Sequence, residues 1–320
     1  MEKVTVLIVG LLILGITASF RPPLIINSIE TIVLFLRDIG LALTYPKYFH
    51  NDPRDYKPLP FESVLKNMSS STEENDSAWI INTEYEGEKR PTTVLLVTKY
   101  NPDRPSVIYH HGAGSTRPLR DFDFIFGSEF KEKFNVFVVW AQYHTSKAEY
   151  LTKSVDSFLH HQETFAGSVL AYEEIVKFHK KQSEKPVIAA GSSMGGIVSS
   201  LHAFYFGTAD YYFPIVAYPN VGEIFLGETY KYAVEDIDQK RKNGLYFSSF
   251  AVEKFDKKLT AKVFPIIGTK DKVVPSNKAL EFWEERGFDV LKYPYGHFTS
   301  GIVRTRIRET VLRKLADGRN

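Results

Sequence analysis

At 320 residues, with 40 basic and 38 acidic side chains, the chain is long enough to bury a large core and nearly neutral at a formal +2. It has no long basic run with interleaved aromatics, which argues against nucleic acid as a partner. Cysteine is absent, so disulfides, thiol nucleophiles and thiolate metal sites are excluded together.

Val4 to Phe20 is an uncharged run of 17 residues, at the short edge of what spans a bilayer. Glu2 and Lys3 form a weak charged start, Thr17-Ala18-Ser19 an imperfect cleavage site, and Arg21-Pro22-Pro23 an abrupt end. Residues 1–23 therefore read as a hydrophobic membrane anchor or signal segment in preference to a soluble helix. The protein is then expected to be membrane-associated or exported, in an open orientation. Residues 24–78 read as an amphipathic helix and linker. Ile25, Ile29, Ile32, Leu36, Ile39 and Leu43 share one helix face, and Glu30, Arg37 and Asp38 interrupt the apolar composition. That face suits either a membrane surface or the flank of the domain that follows. Ser69–Asp76 is polar and reads as a loop. Asn67-Met-Ser69 and Asn75-Asp-Ser77 match the glycosylation acceptor pattern, with nothing beside them to support it.

From Trp79 the rhythm changes to strands. Trp79–Glu86 and Thr92–Lys99 form an expected antiparallel pair turning at Gly87. Pro105–His110 and Asn135–Tyr143 are short buried strands with a helical stretch near Phe122–Lys133 between them. An amphipathic helix covers Gln162–Lys180. Tyr211–Tyr218, Lys262–Ile267 and Phe288–Tyr293 are further strands, and Ile302–Leu315 a closing helix. Apolar strands alternating with helices predict βαβ units and a mostly parallel sheet covered on both faces. Between Pro219 and Leu259 the pattern breaks into mixed aromatic and charged residues. A structureless loop of that length is rare, so the segment is expected to carry its own helices as a lid.

The most informative stretch is Val187–Ala190 running into Gly191-Ser192-Ser193-Met194-Gly195 and then a helix. A nucleophilic serine has to project from a tight, strained strand-to-helix turn, which needs small neighbours. The helix that follows aims its free N–H groups at the place where an oxyanion would form. Ser193 is thus the candidate nucleophile. Its base is expected at His297, in a loop between the last strand and the final helix. His50, His144, His160, His161, His179 and His202 read as surface or packing histidines. The orienting acid is expected at Asp271, where a buried strand ends in a Gly-containing turn, with Asp289 in reserve. Ser193, Asp271, His297 is the chain order of an α/β-hydrolase triad. The oxyanion donors are expected at the N–H of Met194 and of Ala113, in the small-residue loop after His110-His111. Those two histidines do not read as a metal site, because adjacent strand residues point to opposite faces.

From about Trp79 to the C-terminus, roughly three quarters of the chain, the sequence resembles the α/β-hydrolase superfamily. The resemblance rests on HHGAGS at 110–115, GSSMGG at 191–196, GTKDKVVP at 268–275 and GHF at 296–298, in family order. It implies an α/β fold for 79–320 with an eight-stranded, mostly parallel sheet, helices on both faces, and a lid inserted after the sixth strand, where 219–259 falls. It further implies a Ser-Asp-His triad and no cofactor. The chain is similar to small-ester and lipid hydrolases of that fold. The lack of an HGGG-type run and the hydrophobic N-terminus argue against the hormone-sensitive-lipase branch. Serine at the elbow argues against haloalkane dehalogenases and epoxide hydrolases.

The expected function is a serine hydrolase (carboxylesterase or lipase-like) that cleaves a small-molecule acyl ester through an acyl-enzyme. The hydrophobic N-terminus and the aromatic segment point to a lipophilic acyl group, and residues 4–20 to membrane association. A peptidase, thioesterase or acyltransferase with the same triad is the rival within the class. A non-catalytic membrane-attached binding protein on the same fold is the rival outside it.

Overall fold

The computed structural model describes residues 28–36, 45–74, 78–250, 259 and 261–317. The expected anchor or signal segment at 1–23 lies outside the described residues. Among those described, no helix is long and apolar enough to cross a membrane.

Among the described residues, ten strands form one sheet. They are β1 (Ser69–Glu74), β2 (Ala78–Tyr85), β3 (Glu88–Leu96), β4 (Ser106–His110) and β5 (Asn135–Trp140), followed by β6 (Val187–Ser192), β7 (Tyr211–Ile215), β8 (Lys262–Val263), β9 (Ile266–Gly268) and β10 (Leu291–Tyr293). The spatial order is β1-β2-β3-β5-β4-β6-β7-β9-β10, with β8 paired to β7. β1, β2 and β3 run antiparallel to their neighbours, and every pair from β5 to β10 is parallel. The expected eight strands are all present, and β1 and β8 are additions to them.

Both additions have local causes. Ser69–Glu74 is a strand and not the loop its polar composition predicts. It pairs along its whole length with β2 through the backbone, and its described side chains are exposed, so no apolar alternation marks it. The stretch Lys262–Ile267 is split because Pro265 has no N–H to give the ladder. The β2–β3 turn falls at Glu86 and Gly87, both at positive φ (51° and 82°), the tight hairpin geometry whose twist matches the flanking strands.

Period-two alternation sorts the central strands between two cores. Ile108, Phe137, Val139, Val187 and Ala189 face one side. Val107, Tyr109, Val136, Val138, Ile188 and Ala190 face the other. The first core is closed by the helices Phe158–Gln182 and Met194–Tyr205, and the second by Pro118–Ile125, Gly127–Lys133 and Arg304–Asp317. The first core also reaches back ahead of Trp79. Phe49, Phe61 and Val64 are fully buried in it, and Phe49 N–H donates to the Val155 carbonyl. The segment after β7 does carry short helices, at Val221–Phe225, Glu228–Tyr230, Ile237–Lys242 and Leu245–Ser248.

The helix over residues 28–36 packs on the domain, but not by the predicted stripe. Glu30 and Leu34 are its buried residues, while Leu36 is exposed at 37% and Ile29 and Ile32 are half-buried. Glu30 turns inward because its carboxylate bonds the amides of Phe298 and Thr299.

The sheet positions the site. The chain leaves β4 toward β5 on one side and leaves β6 toward β7 on the other, with β4 and β6 adjacent. Connections that diverge from neighbouring parallel strands open a crevice at the strands' C-terminal ends. The loop after His110 and the turn at Ser193 both face that crevice.

Candidate active site

β6 delivers the chain into a sharp turn at Ser193, whose backbone sits at φ 55° and ψ −116°, a region non-glycine residues avoid. The turn is held from both sides. Ser193 N–H donates to the Ile215 carbonyl at 2.8 Å, and its own carbonyl accepts from Ile197 in the first turn of the helix at 3.0 Å. The flanking glycines are required by close approach. A Cβ on Gly195 would overlap the His110 carbonyl oxygen, and one on Gly191 would overlap the backbone of Gly195. Strand, strained serine and helix are therefore packed so tightly that only hydrogen fits at the two G positions.

β9 ends at Gly268, and the turn that follows presents Asp271, which is buried. Its Oδ1 accepts from the amides of Val273 (2.8 Å) and Val274 (2.9 Å). Its Oδ2 is left to face His297 Nδ1 at 2.8 Å. On the far side of the ring, His297 Nε2 lies 2.9 Å from Ser193 Oγ. With Nδ1–H donating to the carboxylate, Nε2 is the acceptor for the serine hydroxyl. Three separate loops, spread over 104 residues of sequence, thus join Ser193, His297 and Asp271 in one hydrogen-bonded chain. Asp289 is elsewhere, exposed and paired with Lys314 at 2.6 Å.

Ala113 and Met194 are the two expected oxyanion donors. Ala113 lines a cavity together with Ser193 and His297. Met194 is the first residue of the elbow helix, where backbone N–H groups have no intrahelical acceptor. The loop before Ala113 is fixed by His111. His111 Nε2 accepts the Ala141 N–H at 3.1 Å, so its proton sits on Nδ1 and donates to the Gly112 carbonyl at 2.7 Å. His111 is fully buried, and desolvation holds its pKa well below the ordinary 6.5. The premise used against a metal at His110 and His111 does not hold. His111 lies just past the end of β4, and the two rings stack with centroids 4.7 Å apart. His110 Nδ1 donates to the His111 carbonyl at 2.8 Å, and both His111 nitrogens are engaged as described.

The remaining histidines are mostly buried packing groups. His144, His161, His179 and His202 are fully or almost fully buried, while His50 bonds a backbone carbonyl at the surface and His160 pairs with Asp156 at 2.7 Å.

The cavity over Ser193 holds about 700 Å³, within the usual range for a small-molecule site. Val33, Leu36, Leu151 and Val273 supply aliphatic wall, and Tyr48 and Tyr230 aromatic wall. Tyr230 belongs to the helical segment after β7, and Val33 and Leu36 to the helix over 28–36.

No family model matches the chain, and no curated protein matches its sequence. Solved structures do match. Acetyl xylan esterase 1 from Thermoanaerobacterium sp. JW/SL YS485 superposes with a TM-score of 0.52 at 14% identity, covering 76% of this chain and 92% of the esterase. Est1E from Butyrivibrio proteoclasticus gives 0.51 at 17% identity over 74% of this chain and 99% of its own. Brefeldin A esterase, a bacterial homologue of human hormone-sensitive lipase, gives 0.51 at 14% identity over 91% and 84%. The chain has the α/β-hydrolase fold.

Proposed function

We propose that the protein is a serine hydrolase that cleaves a carboxylic ester through an acyl-enzyme. The observation that carries this reading is the continuous chain from Ser193 Oγ through His297 to Asp271, opening onto a mostly apolar cavity. The esterase names of the structural neighbours agree with it.

In this reading Ser193 Oγ attacks the ester carbonyl carbon while its proton passes to His297 Nε2. Asp271 holds the Nδ1–H, fixing the tautomer and stabilising the imidazolium. The tetrahedral oxyanion is met by the N–H groups of Met194 and Ala113, donors of a kind each worth about 3–4 kcal/mol of transition-state stabilisation. Collapse breaks the C–O bond, and the proton goes from Nε2 to the departing alcohol oxygen. Water then repeats the sequence on the acyl-enzyme and frees the acid. The aliphatic wall from Val33, Leu36, Leu151 and Val273 supports an acyl group with an apolar chain.

A panel of chromogenic esters of rising acyl length tests the proposal. The wild-type protein should turn the esters over, with kcat/KM rising from acetyl toward medium chains. Ser193→Ala should lose activity by on the order of 10⁴-fold or more while still binding a non-hydrolysable analogue. Turnover that survives Ser193→Ala would sink the reading.

A further inference from the structure

The helix over residues 28–36 brings one carboxylate to the back of the active site. We propose that Glu30 is a positioning residue of the reaction: it clamps the loop that carries His297 and so sets the imidazole between Ser193 and Asp271. The proposal rests on the serine-hydrolase reading above.

His297 lies between the end of β10 at Tyr293 and the short helix Thr299–Val303, with no regular element of its own. Its loop is held at one point. Glu30 Oε1 accepts from Phe298 N–H (2.9 Å), Thr299 N–H (3.0 Å) and Thr299 Oγ1–H (3.1 Å). Thr299 Oγ1 in turn accepts from Gly296 N–H at 2.9 Å. The amides on both sides of His297 are thereby tied to a single carboxylate oxygen, directly or through one hydroxyl. The packing leaves no slack, because a Cβ on Gly296 would collide with the Glu30 carboxyl group. Donors to a charged acceptor are roughly twice as strong as neutral pairs, and in a dry setting they fix a loop firmly.

The arrangement is costly for a helix that needs only to dock. Glu30 is fully buried, and its second oxygen, Oε2, has no hydrogen-bond partner. Burying a carboxylate with one oxygen unmet carries a desolvation cost that a leucine at this position would avoid. What the carboxylate gives in return is the three-donor clamp on the His297 loop. The same helix also reaches the acid's loop, since Thr31 Oγ1 accepts from Lys272 Nζ at 2.7 Å, next to Asp271. Its Val33 and Leu36 wall the cavity.

The experiment compares full-length wild type, Glu30→Ala and Glu30→Gln. The readouts are kcat and KM on a short ester, the rate of fluorophosphonate labelling, and the low-field proton resonance of the His297 Nδ1–H···Asp271 hydrogen bond. Glu30→Ala should lower kcat and labelling rate about 100-fold with KM nearly unchanged, since about 1 Å of misplacement has that effect, and should weaken or shift the resonance. Glutamine keeps a carbonyl oxygen for the same donors and should restore most of the rate and the resonance. A folded Glu30→Ala with wild-type kcat, labelling and resonance would show that the carboxylate merely docks the helix. Should Glu30→Ala fail to fold, Thr299→Val decides. It removes the relay to Gly296 N–H and should lower kcat about tenfold, and an unchanged kcat and resonance would overturn the clamp. Failure of the hydrolase reading is distinguishable, because wild type would then remain unlabelled while the resonance still reports whether Glu30 holds the imidazole.

Discussion

Asp271 divides its two oxygens between two tasks. Oδ1 is tied to the amides of Val273 and Val274, which fixes the carboxylate plane, and Oδ2 meets His297 Nδ1. Asparagine would keep the first task and fail the second. Its carbonyl oxygen would still accept the two amides, leaving an NH₂ toward Nδ1. The imidazole would turn to the tautomer with its proton on Nε2, facing Ser193, where it cannot act as base. Asp271→Asn should therefore lower kcat by roughly 10⁴-fold, as in serine-protease triads, with melting temperature little changed. Steady-state kinetics beside a thermal melt checks this, and a loss under about tenfold would remove Asp271 from the proposed mechanism. Ser193, Asp271 and His297 were legible in the sequence because each sits in a local pattern of strand end, glycine and turn. Glu30 and His111 were not. Glu30 reads as a defect in an apolar helix, and its meaning comes from donors more than 260 residues away. His111 reads as one of a pair of strand histidines, and only the Ala141 amide reveals what its ring supports.

At the scale of elements, the parts that were legible are those whose burial writes a period into the sequence. β4, β5 and β6 are buried on both faces and appear as short apolar runs. The elbow turn announces itself by glycines that backbone contact requires. β1 escaped because an edge strand with exposed side chains is held by ladder hydrogen bonds, which any residue but proline supplies. The helix over 28–36 was legible as a helix, but its orientation was not. Counting apolar positions selects Ile29, Ile32 and Leu36, whereas the structure turns Glu30 and Leu34 inward. Periodicity counts methyl groups and cannot register three donors waiting on another loop. The segment after β7 broke the strand–helix rhythm in the sequence, and its short helices bring Tyr230 to the cavity.

Across the whole molecule, the α/β-hydrolase fold was legible from motif order alone, while the chemistry of its interior was not. Four of the buried histidines, His110, His111, His144 and His161, are kept neutral most strongly by desolvation, with pKa values pressed to about 3 for His110 and His161, to about 4 for His144, and well below 6.5 for His111. The unfolded chain, near 6.5 at each, takes up protons first as the pH falls. Stability should therefore be intact above about pH 6.5 and decline below it, by up to about 1.4 kcal/mol per pH unit for each histidine. Urea midpoints measured between pH 7.5 and 4.5 should fall steeply on the acid side. A flat profile would contradict the buried neutral state of these rings.

The proposed mechanism depends on Ser193 being an activated nucleophile. Its most direct test is active-site titration of the full-length protein with a fluorophosphonate, beside Ser193→Ala and His297→Ala, read by intact mass. Wild type should take one adduct per chain and Ser193→Ala none, with labelling on His297→Ala slowed by on the order of 10⁴-fold. A folded, monodisperse wild-type protein that stays unlabelled, or one labelled equally well without Ser193, would contradict it.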